Sequence, residues 1–507
     1  MSSDVKSHKK NSSILRWLWG VYLLISIIYV FAGAIHLDEG AYMYAANAVY
    51  RGQLLYQDFF FLQPPLHSYI FGLVQLLFHG LLFGRLTSVL FGIASTLYLM
   101  RLARSLDAQA GQTGSRIMLL ALMAATPFQL YFFTITRLYA LTAFFISAGC
   151  YYVFRHEKPT PADTVPGTIF LALAVGTRLT VLPLLLLVLL YLLISSRTHI
   201  HRFIPVAITI AVLSAVYIPF VVIAGPDRLW FNLLGMNLSL HSHNLTANLV
   251  QKARATRQLI RYYFLAWILL APLAVDAART LKNNPLRRLI QGVKTPRGYL
   301  WLVTLTMLLV HSTAKLYQVS YQTIIMPLLF CLLAVEWRRK IIAFQPPSRR
   351  ISGVIFPVIC VLSILAYGRT SISIIEGRPA LMALWEQEAF IREHTEPGQR
   401  VFSADSALAV IEADRDVLKG MAASDLFAGW STEKCTYFNV LNFPIMEELI
   451  RDQAGAMVIY GDLSFNLSLP FLEPIPGDQR NTFLDLIDRY YSRIRTFPNL
   501  TLPGTRT

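Results

Sequence analysis

The 507-residue chain contains little charge and few acidic residues. Only 15% of its residues are Asp, Glu, Lys or Arg, whereas 55% are hydrophobic and the mean hydropathy is +0.49. Soluble domains carry about 25% charged residues, so these values exclude an ordinary soluble protein. Apolar runs long enough to cross ~30 Å of hydrocarbon recur up to about residue 368. We therefore predict a multi-pass α-helical membrane region at 1–368, followed by a soluble domain at 369–507.

Cysteine is scarce as well. Cys150, Cys331 and Cys360 fall within apolar runs, and Cys435 stands alone in the C-terminal part. Cys435 therefore lacks a partner for an intrachain disulfide on its side of the membrane. No Cys-x-x-Cys or Cys/His spacing indicates a metal site. The C-terminal part also lacks the glycine-rich phosphate loop and the Gly-x-Ser-x-Gly motif, so nothing marks it as the catalytic part.

Positive charge is abundant but confined to short gaps between the apolar runs. The 45 Lys and Arg residues exceed the 29 acidic ones, for a net charge of +16. This distribution is typical of topology signals and not of a nucleic-acid surface, which interleaves basic and aromatic residues. Lys6, Lys9, Lys10 and Arg16 precede the first run and predict a cytoplasmic N-terminus. We predict eleven spans, at about 17–35, 86–100, 117–133, 138–154, 166–177, 180–195, 203–224, 258–276, 299–313, 320–336 and 351–368.

Three apolar runs in this topology each have two interpretations. The first run is longer than a signal-peptide core, which favours an uncleaved anchor over a cleaved leader. Residues 66–83 form either a further span or, after Pro64-Pro65, a helix along the outer surface; the charge pattern favours the second. The runs near 166–195 are short and could form one bent helix pair. An odd number of spans places the C-terminal domain outside, on the same side as the first outer loop, 36–84.

The C-terminal part is predicted to be a small α/β domain. Helical periodicity covers 385–394 and 483–491, and β-forming residues cluster at 400–403, 456–460 and 493–497. Alternation of strands with helices indicates a layered domain.

One outer segment, at about 225–262, breaks the charge bias because it contains five cations: Arg228, Lys252, Arg254, Arg257 and Arg261. Long loops obey the bias less strictly, so tolerance is one explanation. The other is an electropositive face for phosphate groups of lipid or substrate.

The acidic pair Asp38-Glu39 follows directly after the first apolar run. Two carboxylates beside the bilayer are costly to hold and indicate a functional site. A carboxylate at the outer face can accept a proton from an acceptor hydroxyl or amine. The alternative is that Asp38 only N-caps the helix Glu39–Val49.

The run from Asp38 to Pro65-Leu66, followed by Arg85-Leu86-Thr87-Ser88, resembles the start of GT-C membrane glycosyltransferases. The protein O-mannosyltransferase and aminoarabinose transferase branches are the most similar. The resemblance implies a GT-C fold and a polyprenyl-phosphate sugar donor, with inverting transfer on the outer face. It also implies that Asp38 is the catalytic carboxylate and Glu39 its neighbour.

The growing charge on a lipid-phosphate leaving group requires cations. Arg85, at the outer end of its span, is the first candidate, although it could simply snorkel there. The resemblance implies a basic residue and a Tyr in the outer gap 311–322, which contains Lys315, Tyr317 and Tyr321. Arg137 opens another span, and Arg178 lies between two apolar runs, a position that indicates a cavity. Some family members carry an acidic residue near Arg137, so the donor or metal contact there differs.

Asp58 and the pair His241 and His243 are two further candidate groups. Asp58 touches the acceptor sugar or caps the surface helix, and we favour the cap. His241 and His243 have i, i+2 spacing, which by itself indicates solvated side chains more than a metal site. The sequence thus predicts no protein metal ligands, and leaves a divalent ion as a possible cofactor.

These observations predict a plasma-membrane glycosyltransferase with Asp38 as general base and a glycan, lipid or protein as acceptor. The alternative is a transporter or flippase of lipid-linked saccharides, although no internal repeat supports it. A third option is an assembly factor that binds proteins through its soluble domain.

Overall fold

A computed structural model gives the fold. The structure describes residues 2–107, 113–195, 199–239, 245–281, 291–314, 317–343, 346–404, 407–421, 429–460 and 477–498. The α-helices before residue 282 are α1 (Ser2–Ala32), α2 (Leu37–Tyr50), α3 (Leu66–Leu77), α4 (Leu81–Leu106), α5 (Gly114–Ala124), α6 (Pro127–Phe132), α7 (Leu138–Phe154), α8 (Pro161–Thr177), α9 (Leu182–Ser195), α10 (His199–Ala224), α11 (Pro226–Trp230), α12 (Met236–Ser239), α13 (Leu245–Tyr262) and α14 (Phe264–Leu281).

The remaining described helices are α15 (Pro296–Thr313), α16 (Met326–Ala343), α17 (Pro346–Tyr367), α18 (Ala380–His394), α19 (Leu408–Glu412), α20 (Thr432–Phe438), α21 (Phe443–Arg451) and α22 (Gly477–Tyr490). Turns of 3₁₀ helix lie at Leu179–Val181 and Val319–Ile324, and a π-helical turn lies at Phe231–Gly235. The strands are β1 (Ile374–Ile375), β2 (Arg378–Pro379), β3 (Arg400–Ser403), β4 (Asp416–Val417) and β5 (Met457–Ile459).

Three described helices are long and apolar enough to cross a membrane: Asn11–Ala32, Leu81–Leu106 and Arg202–Ala224. The pair Leu249–Tyr262 and Phe264–Arg279 would add a fourth span if it were counted as one helix bent by 87°. The predicted count of eleven remains a prediction, because several apolar runs are divided. The run 117–133 is broken before Pro127, which begins a new helix, and the run 320–336 starts as a 3₁₀ turn.

Small residues let α4, α7 and α8 pack closely. A Cβ added to Gly149 of α7 would lie 2.6 Å from Leu171 Cγ of α8. Between α4 and α7, Ser95 and Ser147 share a buried hydrogen bond of 2.8 Å. Small side chains and buried hydroxyl pairs are the usual means of packing helices where lipid removes the hydrophobic driving force.

Helix α3 has twelve residues and is therefore about 18 Å long, too short to cross the hydrocarbon layer. One side carries the exposed apolar residues Leu73, Leu76 and Leu77, which are 52–68% accessible. The opposite side buries His67 and Phe71. This amphipathic helix fits the surface-helix alternative better than an additional span.

The C-terminal part contains a three-stranded parallel sheet in the order β4-β3-β5. In this sheet, Val401 is paired with both Val417 and Met457. The predicted strands at 400–403 and 456–460 and the helices at 385–394 and 483–491 are confirmed, with ends that differ by at most six residues.

The strand predicted at 493–497 is wrong, because residues 491–498 form no regular element. This segment lies beside α18 and does not join the sheet: Arg495 donates to Glu386 at 2.7 Å, and Phe497 contacts Phe390 edge-on. Of the β-forming residues there, Phe497 packs on Phe390, whereas Ile494 is exposed.

The C-terminal domain docks against the segment that precedes α4. Glu412, only 6% exposed, accepts a hydrogen bond from the Leu81 amide at the first turn of α4. His79 Nε2 lies 2.8 Å from the Ile411 carbonyl oxygen, and Arg51 pairs with Asp414 and Asp416. A carboxylate at a helix N-terminus also interacts favourably with the helix dipole.

The docking contact is expected to depend on pH through Glu412. Burial raises the pKa of Glu412 to about 7, although the Leu81 amide opposes the shift. The folded state therefore keeps this proton at a pH where the unfolded chain has released it. We expect stability to fall by about 1–3 kcal/mol as the pH rises from about 4.5 to about 7. Thermal unfolding of Glu412→Gln should lack this pH dependence.

Glu396→Gln is the matched control, since Glu396 is exposed in the same domain. It should unfold with the wild-type pH profile. Wild-type pH dependence in Glu412→Gln would remove Glu412 from the docking contact.

Candidate functional site

Helix α2 begins with a capping box built by His36 and Glu39. His36 Nδ1 accepts a hydrogen bond from the Asp38 amide at 3.2 Å, and the His36 amide donates to Glu39 Oε2 at 3.0 Å. The N-cap is therefore His36, so the alternative that Asp38 only N-caps this helix is wrong. The capping box fixes the first turn and leaves the Asp38 side chain free to face the site.

Glu39 is fully buried and forms an ion pair with Arg85 of α4. Arg85 donates to both carboxylate oxygens, with distances of 3.1 Å from Nε to Oε1 and 2.8 Å from Nη2 to Oε2. The Thr136 amide donates to Oε1 at 2.9 Å. Burial raises the pKa of Glu39, but Arg85 and the two amide donors outweigh it, so the carboxyl stays ionised. Glu39 thereby joins α2 to α4 and to the start of α7.

The remaining donors of Arg85 bind the end of α1. Nη1 donates to the carbonyl oxygens of Val30 and Gly33, both at 3.0 Å, and Nη2 donates to that of Ala34 at 3.2 Å. Side-chain exposure of Arg85 is 0%. A cation at a helix C-terminus is favourable, because the last carbonyls are otherwise unpaired. This geometry favours a positioning role for Arg85 over the phosphate contact predicted for it. It likewise favours a positioning role for Glu39 over direct participation in catalysis.

Asp38 differs from its neighbour because its side chain is 44% exposed. Its Oδ2 lies 2.5 Å from Arg137 Nη2 and 4.0 Å from His36 Nδ1. The surrounding protein removes part of the water around Asp38, which raises its pKa, but the charge of Arg137 and the neighbouring His36 hold this pKa below its usual value. Asp38 is therefore an ionised, accessible carboxylate at neutral pH.

His36 contributes a neutral imidazole to the same site. Burial and the charge of Arg137 lower the pKa of His36 to about 4. Its Nε2 lies 3.0 Å from Arg137 Nη1. His36 was not predicted from sequence to be a site residue. The signal that could have identified it is its spacing three residues before Glu39, which is that of a capping box.

Two arginines surround one tyrosine ring in this site. Arg137, at the start of α7, lies 4.8 Å from the Tyr139 ring centroid, and Arg178, after α8, lies 5.3 Å from it. Arg178 is also 4.5 Å from the Tyr321 ring centroid. Both arginines are 5–7% exposed. The structure thus brings together Asp38, Arg137, Arg178 and Tyr321 of the predicted set.

These arginines have donors available for a ligand. Arg137 Nε is buried without a hydrogen-bond partner within the described ranges. Arg178 donates through Nε to Thr180 at 2.9 Å and has no carboxylate partner among the residues that the structure describes. A buried guanidinium without a counter-ion is costly, which makes an anionic ligand favourable there.

Other predicted residues lie apart from this cluster. Tyr317 is buried, and its hydroxyl lies 3.4 Å from Gln322 Nε2. Asp58 accepts from the Leu54 amide at 2.6 Å and therefore caps the local turn 54–58, not helix α3. Lys315, His241 and His243 lie outside the described residues. Within the described part, no group of three His, Cys, Asp or Glu residues is arranged to hold a metal ion.

His67 is a second residue that the sequence analysis missed. It is fully buried in α3, 4.8 Å between ring centroids from Tyr42, and stacks on Phe71. Neither ring nitrogen has a hydrogen-bond partner among the described residues. Tyr42 in turn lies 5.8 Å from Arg137, measured from its ring centroid to Cζ, so His67 lies behind the site. No sequence signal distinguishes it from an ordinary core histidine.

No family model and no curated protein sequence matches this chain. Solved structures do match. ArnT from Cupriavidus metallidurans bound to undecaprenyl phosphate aligns with a TM-score of 0.60 and 12% identity, over 86% of this chain and 90% of that one. The chain has an ArnT-like GT-C fold. The apo state of the same ArnT aligns with a TM-score of 0.59 and 14% identity, over 87% and 91% of the two chains.

The oligosaccharyltransferase of Archaeoglobus fulgidus in complex with zinc and sulfate aligns less well, with a TM-score of 0.46 and 13% identity over 78% of this chain. The ArnT-like fold confirms a mostly helical, multi-pass membrane architecture with a small C-terminal α/β part. At these identities the likeness shows the fold alone.

Removal of the Arg137 charge is expected to raise the pKa of Asp38. Loss of water around Asp38 would by itself raise that pKa, and Arg137 makes the larger of the two contributions that lower it. In Arg137→Gln, the pH at which Asp38 becomes protonated should therefore increase. The rate of carbodiimide modification of Asp38 against pH, followed by peptide mass spectrometry, measures this.

Arg489→Gln serves as the control, because Arg489 is exposed on α22 of the C-terminal domain. It should leave the modification profile of Asp38 unchanged. An identical profile in Arg137→Gln would contradict the electrostatic coupling between Arg137 and Asp38.

Proposed function

We propose that this protein is a glycosyltransferase that moves a sugar from a polyprenyl-phosphate donor to an extracytoplasmic acceptor. The observation that carries the proposal is the exposed carboxylate of Asp38 beside two buried arginines, on a GT-C fold. A base and an anion-binding group side by side are what transfer from a lipid phosphate requires.

In this proposal Asp38 is the general base. Its carboxylate removes the proton from the acceptor hydroxyl or amine as the acceptor attacks the anomeric carbon with inversion. Because the pKa of Asp38 is lowered, it is a weak base, available in its ionised form over the whole neutral range. Its proton transfer is therefore expected late, when the acceptor already carries positive charge.

Arg178 and Arg137 are proposed to stabilise the leaving phosphate. Arg178 has no described carboxylate partner, and Arg137 has an unused Nε donor. Negative charge on the phosphate grows as the glycosidic bond breaks, so fixed cations lower the barrier most at that point. Tyr321, whose ring contacts Arg178, would complete the phosphate site. Lys315, which precedes it in sequence, remains a candidate for the same role.

The donor class is supported by the ArnT structure, which is bound to undecaprenyl phosphate. We extend this to a polyprenyl-phosphate ligand here because the fold and the arrangement of cations fit such a ligand. The proposed location is the plasma membrane, with the N-terminus in the cytoplasm and residues 369–507 outside as a separate domain. That domain contacts the start of α4 through Glu412 and would cover the outer loop during acceptor binding.

Replacement of Asp38 by Asn tests the catalytic proposal. The amide is nearly isosteric but cannot accept the acceptor proton, so transfer should fall by about 10²–10⁴-fold with donor binding retained. The measurement is release of polyprenyl phosphate by purified protein incubated with a panel of polyprenyl-phosphate sugars and acceptors.

Asp227→Asn is the matched control, since Asp227 is an exposed outer-loop carboxylate without an ion pair among the described residues. It should transfer sugar at the wild-type rate. Undiminished transfer by Asp38→Asn would remove Asp38 from the mechanism. Movement of labelled donor across vesicles without any release of lipid phosphate would support the transporter alternative instead.

A further inference from the structure

Helix α13, with the sequence LTANLVQKARATRQLIRY, carries four cations and no acidic residue. It belongs to the outer segment that breaks the charge bias of the membrane region. The helix lies on the side of the Asp38 site, because Lys252 donates at 3.2 Å to the carbonyl oxygen of Thr313, shortly before the turn that holds Tyr321. Because the proposed function places Asp38 at the outer surface, the cations of α13 also face the outer surface and not the cytoplasm.

The direction of α13 places it along the membrane surface. It meets the apolar helix α14 at an angle of 87°. We take α14 as the span predicted at 258–276, and a helix at a right angle to it runs in the plane of the bilayer. Its four cations also favour a position at the membrane surface over one inside the hydrocarbon layer.

The outward face of α13 combines apolar and basic side chains. Leu249, Val250 and Ile260 are 59%, 51% and 55% exposed. Arg254, Arg257 and Arg261, which we call the arginine strip, are also exposed. The rotation of about 100° per residue places Leu249 and Ile260 within about 20° of each other, and the arginine strip occupies the next sector of the helix.

The inward face of the same helix is already covered by protein. Ala255 and Leu259 are buried, at 5% and 8% exposure. The outward face is therefore the part of α13 that remains available for a partner.

No described carboxylate pairs with the arginine strip. Arg261 lies over aromatic rings, 5.9 Å from the Tyr262 centroid and 5.6 Å from the Tyr367 centroid. Free phosphate or an acidic protein would match the charge alone. Exposed apolar side chains beside the cations fit a ligand with an anionic head and an apolar body.

We infer that the outward face of α13 binds the phosphate headgroups of anionic phospholipids in the leaflet on the side of the Asp38 site. Leu249 and Ile260 enter the boundary between headgroups and acyl chains, and the arginine strip holds the phosphates through paired N–H donors. The binding surface is independent of any transfer reaction. It also gives the extra cations of this outer segment a function.

The test uses the full-length protein in nanodiscs of phosphatidylcholine with and without phosphatidylglycerol. Spin-labelled phosphatidylglycerol should associate with the wild type more tightly than spin-labelled phosphatidylcholine. The variant Arg254→Gln/Arg257→Gln/Arg261→Gln should lose this preference, with about a fivefold loss for each arginine that contacts a headgroup. The corresponding triple Lys variant should retain most of it, which separates loss of charge from misfolding.

The matched control removes the same charge elsewhere, in Arg400→Gln/Arg451→Gln/Arg489→Gln on exposed positions of the C-terminal domain. It should keep the wild-type lipid preference. A nitroxide at Ile260→Cys, placed selectively because the four native cysteines are buried, should be shielded from water-soluble relaxation agents.

An unchanged preference in the Gln variant, or full water access at position 260, would overturn the inference. Competition by inorganic phosphate equal to that by phosphatidylglycerol would also overturn it, because a free anion would then be the ligand.

Discussion

The buried ion pair between Glu39 and Arg85 is the constraint on which the site depends. Both side chains have 0% exposure, and together they connect the end of α1, the start of α2, α4 and the start of α7. Removing either partner leaves an unpaired charge in a low-dielectric interior, which costs about 3–5 kcal/mol. The geometry of this junction is therefore strongly specified, and Asp38 is the next residue to it.

Adjacent carboxylates in this junction have opposite environments. Glu39 uses both oxygens for hydrogen bonds within the protein, whereas Asp38, one residue earlier on α2, pairs with Arg137 and keeps 44% of its side chain exposed. The helical rotation of about 100° between neighbours separates the two roles. One residue thus secures the scaffold and the other remains available for a substrate. A second buried carboxylate, Glu412, extends the arrangement, because it binds the first turn of α4 from the C-terminal domain.

Much of this organisation was predictable from sequence. Periodicity and composition identified the membrane region and the α/β domain, and the position of Asp38 after the first apolar run identified the exposed carboxylate. The surface position of α3, favoured by the charge pattern, stays a prediction that fits its short length. The role of Arg85 was not predictable in the same way. An arginine at the outer end of a span looks the same in sequence whether it faces a ligand or binds the carbonyls of another helix. Burial and hydrogen-bond partners, which depend on tertiary packing, distinguish the two.

The breaks within the apolar runs were likewise difficult to predict from the sequence. Hydropathy locates apolar segments, but the division of 117–133 into α5 and α6 depends on Thr126-Pro127, and Arg178 enters the site because α8 ends at Thr177. Such irregular backbone in a membrane protein is tolerated where it is enclosed by protein or lines a cavity. The cations gathered at these breaks come from distant parts of the sequence, so no local motif identifies them as one site.

A double-mutant cycle on Glu39 and Arg85 tests the central claim most directly. Free energies of unfolding in mixed micelles would be measured for the wild type, Glu39→Gln, Arg85→Met and the double variant. We predict that each single substitution destabilises the protein by about 3–5 kcal/mol and that the double variant recovers at least about 2 kcal/mol of the summed loss. Additive losses, with no coupling between the two positions, would contradict the account.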